Sequence, residues 1–117
     1  MPVIGASGVA FDHVSREFRC KYAMDASGGP ADSPSLKACE ELLQEYLPKM
    51  KALPAVEVRR VVCGGCGDFK VVLTQPCAEH DAWKAENFSF EGEFMEKLKA
   101  IEGTSRHETQ EYTFETL

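Results

Sequence analysis

The sequence predicts an α/β domain: a mixed four-stranded sheet with helices packed on it, in the order β-α-β-β-β-α. Three stretches predict it. Two β-branched runs, residues 59–62 and 69–73, flank Cys63-Gly64-Gly65-Cys66-Gly67, which reads as two strands joined by a glycine turn. Leu36, Cys39, Leu42, Leu43, Tyr46, Leu47 and Met50 recur at three- and four-residue steps, forming one apolar helical face. Phe18, Cys20 and Tyr22 alternate with charged residues, the pattern of a strand with one buried face.

Taken in order, residues 1–15 are small and glycine-containing and read as an extended N-terminal arm. The first strand covers Glu17 to Tyr22, and a loop covers 23–33. Ser33-Pro34 starts the first helix, with serine at the N-cap and proline at the first helical position. Glu40 and Glu41 toward its N-terminal half and Lys49 and Lys51 toward its end suit the helix dipole. Pro48 kinks or ends it. The second strand is 56–62 and the third 69–74, stopped by Gln75-Pro76. Cys77 to Asp81 reads as a turn, and 82–88, centred on Trp83, as a short fourth strand. Phe90, Phe94, Leu98 and Ile101 mark a second amphipathic helix, ended by Gly103. The domain proper is thus 16–103. Residues 104–117 form a polar tail in which Tyr112 and Phe114 alternate with polar neighbours, so the tail can dock as an extended segment. A helical crossover makes the first two strands parallel neighbours, and the short later connections allow antiparallel ones.

At 117 residues, 44% hydrophobic and 27% charged, the composition is that of one soluble globular domain. No run approaches the ~18 apolar residues of a membrane span, so a membrane-spanning chain is not expected. The first residues carry no basic n-region, so neither is a secretory signal. A net charge of −6 argues against nucleic acid as the main partner, because such binding rests on Lys and Arg neutralising phosphates. Five cysteines without a signal peptide point to reduced thiols rather than a disulfide framework.

Cys63 and Cys66 form the candidate site. A CxxC pair is either a redox pair with one activated thiolate or half of a metal site; the plainer alternative is a glycine-rich turn carrying two small thiols. Arg59, Arg60 and Lys70 flank the pair, and cations lower a thiol pKa, but strand alternation sends Arg59 and Arg60 to opposite faces. A strand follows the pair where a redox CxxC starts a helix, whose N-terminus would stabilise the thiolate. Cys20 and Cys39 lie on apolar faces and read as core. Cys77 and His80 can complete a zinc site with Cys63 and Cys66 only if the two turns meet. Glu40, Glu41, Glu93 and Glu96 read as solvated helix faces. No nucleophile–His–acid arrangement and no phosphate-binding glycine loop is present.

The element order is that of a minimal thioredoxin-like fold, and the chain resembles three thioredoxin-like groups. Arg16-Glu17-Phe18-Arg19, the Ser/Pro loop before the helix, and Leu53-Pro54-Ala55-Val56-Glu57-Val58-Arg59 resemble the family that joins a small accessory subunit of mitochondrial NADH dehydrogenase with certain mitochondrial ribosomal proteins. This resemblance implies a non-catalytic subunit, bound to other protein subunits of a respiratory-chain or similar mitochondrial assembly. Cys63 and Cys66 before Phe69-Lys70-Val71-Val72-Leu73 and Pro76 resemble the second ligand loop of thioredoxin-like [2Fe-2S] ferredoxins, with Cys20 and Cys39 in the region of the first. Val62-Cys63-Gly64-Gly65-Cys66-Gly67 is similar to the CGxC signature of selenoprotein W-like proteins. The leading expectation is therefore a non-catalytic accessory subunit without a cofactor, mitochondrial or otherwise cytoplasmic. The alternative is a thiol-redox or [2Fe-2S] electron-transfer protein using Cys63 and Cys66.

Overall fold

The computed structural model describes residues 2–24 and 32–117. Its elements are β1 (His13–Lys21), α1 (Pro34–Lys51), β2 (Glu57–Cys63), β3 (Asp68–Pro76), α2 (Cys77–Ala85), α3 (Glu91–Ala100) and β4 (Ser105–Tyr112). Of the loop expected over 23–33, residues 25–31 lie outside the described residues. No described helix is long and apolar enough to cross a membrane.

The sheet corrects the expected fold. It is not the mixed thioredoxin-like sheet but an antiparallel one of order β2-β3-β1-β4. β1 and β2 are parallel yet not adjacent, because β3 lies between them. With α2 and α3 leading to β4, this is the split β-α-β of a ferredoxin-like fold. The physical reason lies in β2 and β3. Arg59 and Arg60 put charge on both faces of β2, which a sheet edge tolerates and a central strand does not. Residues 71–75 of β3 are buried on both faces, as in a central strand.

The fourth strand is also corrected. Residues 77–85 form helix α2 rather than a turn and a strand. Ala78, Glu79, Ala82, Lys84 and Ala85 are good helix formers, and His80 and Trp83, three apart, are its buried residues. The strand that closes the sheet comes from 105–112, where it pairs with β1 from Ser15↔Tyr112 to Lys21↔Ser105. Likewise β1 begins at His13, so the last residues of the expected arm lie in the sheet.

The first helix follows its capping signals. The Ser33 hydroxyl accepts from the Leu36 amide at 3.2 Å, and Pro34 opens the helix. The helix runs through Pro48 to Lys51 rather than ending there. All three helices pack on one sheet face. Phe18, Cys20, Tyr22, Phe69, Val71 and Leu73 meet Cys39, Leu43, Tyr46, Met50, Trp83, Phe94 and Leu98 in a single buried cluster. Phe90, Ile101, Leu36 and Leu47, from the expected apolar stripes, pack at its margin half-buried. The opposite sheet face carries no described helix.

Candidate functional site

The Cys63–Cys66 pair sits at the tip of the β2–β3 hairpin, with Cα atoms 5.6 Å apart and the sulfurs joined as a disulfide. The sequence builds this tip tightly. Gly67, at a φ of 71°, takes a conformation that favours glycine, and its amide donates to the Cys63 carbonyl at 3.1 Å. The end of β1 braces the turn: the Tyr22 hydroxyl donates to the Cys63 carbonyl at 2.8 Å, and the Lys21 ammonium to the Cys66 carbonyl at 3.0 Å. Tyr22 thus reaches Cys63 across the end of β3, without the β1–β2 adjacency the sequence suggested.

The charges around the sulfurs are not those of an activated thiol. Arg59 pairs with Glu57 and Arg60 with Glu40, so neither guanidinium is left to serve the pair; Lys70 has no ion-pair partner among the described residues, and its charge acts on Asp68. Asp68 Oδ2 lies 3.4 Å from Cys66 Sγ; a disulfide sulfur has no proton to donate, so this contact becomes a hydrogen bond only in the dithiol. The hydrogen bond from Lys21 holds the Asp68 carboxyl below its usual range, which keeps a negative charge beside Cys66. Cys63 Sγ instead accepts from the Cys66 amide at 3.1 Å. One amide thus addresses Cys63 Sγ and one carboxylate Cys66 Sγ, and no helix N-terminus addresses either.

The other sulfurs do not join this site. Cys20 faces the helices and Cys63 the open face, because they sit on strands of opposite parity relative to Asp68 and Phe69. Cys20 and Cys39 meet in the core with sulfurs 3.9 Å apart. Their mutual hydrogen bond, then burial, pushes the Cys20 thiol up, and the same hydrogen bond lowers Cys39. Cys77 and His80 begin α2 at the far end of β3, about 27 Å from the hairpin tip at about 3.3 Å per residue. The two turns do not meet, and the four-ligand zinc arrangement is not built. Among the described residues no three His, Cys, Asp or Glu side chains converge as a metal site.

One cluster had no signal in the sequence. His80, 2% exposed, shares a hydrogen bond of 3.0 Å between Nε2 and Glu111 Oε2. Arg16 grips Glu91 with two bonds of 2.7 and 2.9 Å, reaches Glu111 at 3.4 Å, and lies 3.8 Å over the Phe88 ring. Burial raises the Glu111 carboxyl, but His80, Lys84 and Arg16 outweigh it and leave it below the usual glutamate value. These residues lie on β1, α2, α3, β4 and the α2–α3 turn. Only the corrected β4 brings Glu111 to His80, so no local spacing announces the cluster.

No protein-family model matches the chain, and no curated protein matches it. A crystal structure of a dimeric ferredoxin-like protein from an uncultured marine organism is similar at 17% identity over 91% of this chain and 98% of that one, with a TM-score of 0.43. A likeness of that size carries no inference about chemistry, and the fold stands on its own strand register.

Proposed function

We infer that this chain is a non-catalytic assembly module that buries its uncovered sheet face against a protein subunit, and that the subunit is a second copy of itself. The observation that carries this reading is the charge balance of that face. By register its charged strand residues are Glu17, Glu57, Asp68 and Glu108 against Arg19, Lys21, Arg59 and Lys70, and Arg106, at the β4 bulge, lines a hollow with Arg19, Lys21, Asp68 and Glu108. The face is thus close to neutral, on a chain whose net charge is −6, so two such faces approach with little of the repulsion acting elsewhere.

The interior of the face supports the same reading. Glu17 is 4% exposed. Its Oε1 accepts from the Tyr112 hydroxyl at 2.9 Å. Its Oε2 lies 3.3 Å from Arg19 Nε, within ion-pair reach but at an angle that leaves it without a hydrogen bond. Tyr112 exposes apolar surface beside it, and Val61 does so on the edge strand β2. Lys70 and Glu108 both flank Arg19 in register, and neither has an ion-pair partner among the described residues. A two-fold axis between sheets lets Lys70 of each copy meet Glu108 of the other. Four strands about 4.8 Å apart and about 25 Å long give about 500 Å² per copy. The total of about 1,000 Å² is at the low end for a specific interface, which fits a reversible dimer.

Charge reversal tests the reading. Lys70→Glu and Glu108→Lys should each weaken dimerisation about tenfold, since each turns two symmetry-related attractions into repulsions. The double variant restores both attractions with the signs exchanged and should return close to the wild-type constant. A double variant weaker than either single one, or three variants indistinguishable from wild type, refutes the reading.

A further inference from the structure

The His80–Glu111 pair borders a cavity of about 240 Å³ between α2, the N-terminal residues and the end of β4. Ile4, Phe11 and Val14 give it apolar walls, and His80, Asp81, Glu111 and Tyr112 are its charged or titratable lining. No Lys or Arg lines it. Its volume is below the roughly 300–1,000 Å³ of pockets for drug-sized ligands, so it suits a single ring with a short arm.

Glu111 is held as a preset acceptor. His80 and Arg16 both reach its Oε2, at 3.0 and 3.4 Å. Lys84 Nζ stands 3.6 Å from Oε1, beyond hydrogen-bond reach, so Oε1 keeps its accepting capacity. The support behind it is costly. His80 is buried, and its Nδ1 has no hydrogen-bond partner. The bond from so confined a ring fixes the orientation of the carboxylate it holds.

We propose that this cavity binds a small apolar ammonium compound of the arylalkylamine class, with the ring against Ile4, Phe11 and Val14 and the ammonium donating to Glu111 and Asp81. The walls supply the apolar contact. Asp81, which has no ion-pair partner among the described residues, and Glu111, whose Oε1 keeps an accepting site although Arg16 and Lys84 partly offset its charge, supply the preference for a positive donor over a neutral one. The cavity shares Tyr112 with the uncovered sheet face, but Ile4, Phe11, Val14, Asp81 and Glu111, which carry the inference, are not among that face's strand residues, so the titration reads it apart from the dimer.

The test is an amide NMR titration of the full chain with tyramine and with 4-ethylphenol, which keeps the ring and lacks the amine. Tyramine should shift the amides of Val14, Asp81 and Glu111 with a dissociation constant of roughly 0.1–1 mM, as expected for about ten heavy atoms. 4-Ethylphenol should bind at least about tenfold more weakly, for want of the charge-assisted bond. Glu111→Gln should bring tyramine down to the affinity of 4-ethylphenol. Asp81→Asn, at an exposed helix position, should weaken tyramine several-fold with the fold intact. The proposal is overturned if tyramine leaves these amides unmoved at millimolar concentration, or if the two probes bind alike. It is equally overturned if a folded Glu111→Gln or Asp81→Asn protein keeps the wild-type affinity for tyramine; should Glu111→Gln not fold, Asp81→Asn decides.

Discussion

Replacing Phe94 by alanine tests the packing on which the fold rests. Phe94 is fully buried, its ring centroid 5.4 Å from that of Phe18 and 5.5 Å, edge-on, from that of Tyr46. The substitution thus empties the junction of α3, β1 and α1. Lost transfer energy plus the cavity should amount to about 3–5 kcal/mol. A domain of this length holds roughly 6–18 kcal/mol in total, so the variant should still fold. Its unfolding entropy near the midpoint is about 0.25 kcal/mol/K, which converts the loss into a fall in Tm of about 12–20 °C. Urea unfolding followed by circular dichroism, with the slope checked against wild type, measures it. Val62→Ala, at a position 42% exposed on the edge strand, is the control and should cost less than about 1 kcal/mol. A loss below about 1 kcal/mol for Phe94→Ala, with an unchanged slope, would mean α3 does not pack there and would refute the core as described.

Alkaline titration gives a second test. All three tyrosines are raised above their usual value: Tyr22 and Tyr46 by burial first, and Tyr112 to about 12 by burial and its bond to Glu17. The folded chain keeps protons that the unfolded chain loses above pH ~10, so stability should fall as pH rises past that point; phenolate absorbance should lag the free-tyrosine curve, and a curve centred on pH ~10 in folded protein would contradict this. Reducing Cys63–Cys66 opens only a very short loop, so it should cost at most about 2 kcal/mol, and the bracing by Tyr22 and Lys21 should keep the hairpin folded; loss of the fold on reduction would contradict it. In the reduced protein Cys63 should alkylate before Cys66, compared through single Cys→Ser variants. The reverse order would show that Asp68 does not govern the tip.

Much of the local structure was legible. Ser33-Pro34 and the 36–50 stripe marked α1, the apolar runs about the glycine turn marked β2 and β3, and Phe94 and Leu98 marked the buried face of α3. Strand adjacency was not. A crossover helix fixes the direction of the strands it joins and leaves open whether a third lies between them. The adjacent Arg59 and Arg60, against the two-sided burial of β3, held that information, but in a contrast between strands rather than within either one. Trp83 drew a strand assignment on β-propensity, while the alanine-rich positions around it favoured helix. β4 stayed hidden because it is an edge strand with one uncovered face, so residues 105–112 alternate polar with polar. Missing β4 meant missing Glu111, and with it the His80 cluster; the cysteine pair, being local in sequence, was found at once.

Sedimentation equilibrium of the wild-type chain across about 1 µM to 1 mM tests the central claim most directly. A sheet-face interface of the size estimated predicts a reversible monomer–dimer equilibrium with its midpoint in roughly the 1–100 µM range, shifted about tenfold upward by Lys70→Glu. A chain that stays monomeric across the whole range, or a dimer indifferent to Lys70→Glu, would contradict it.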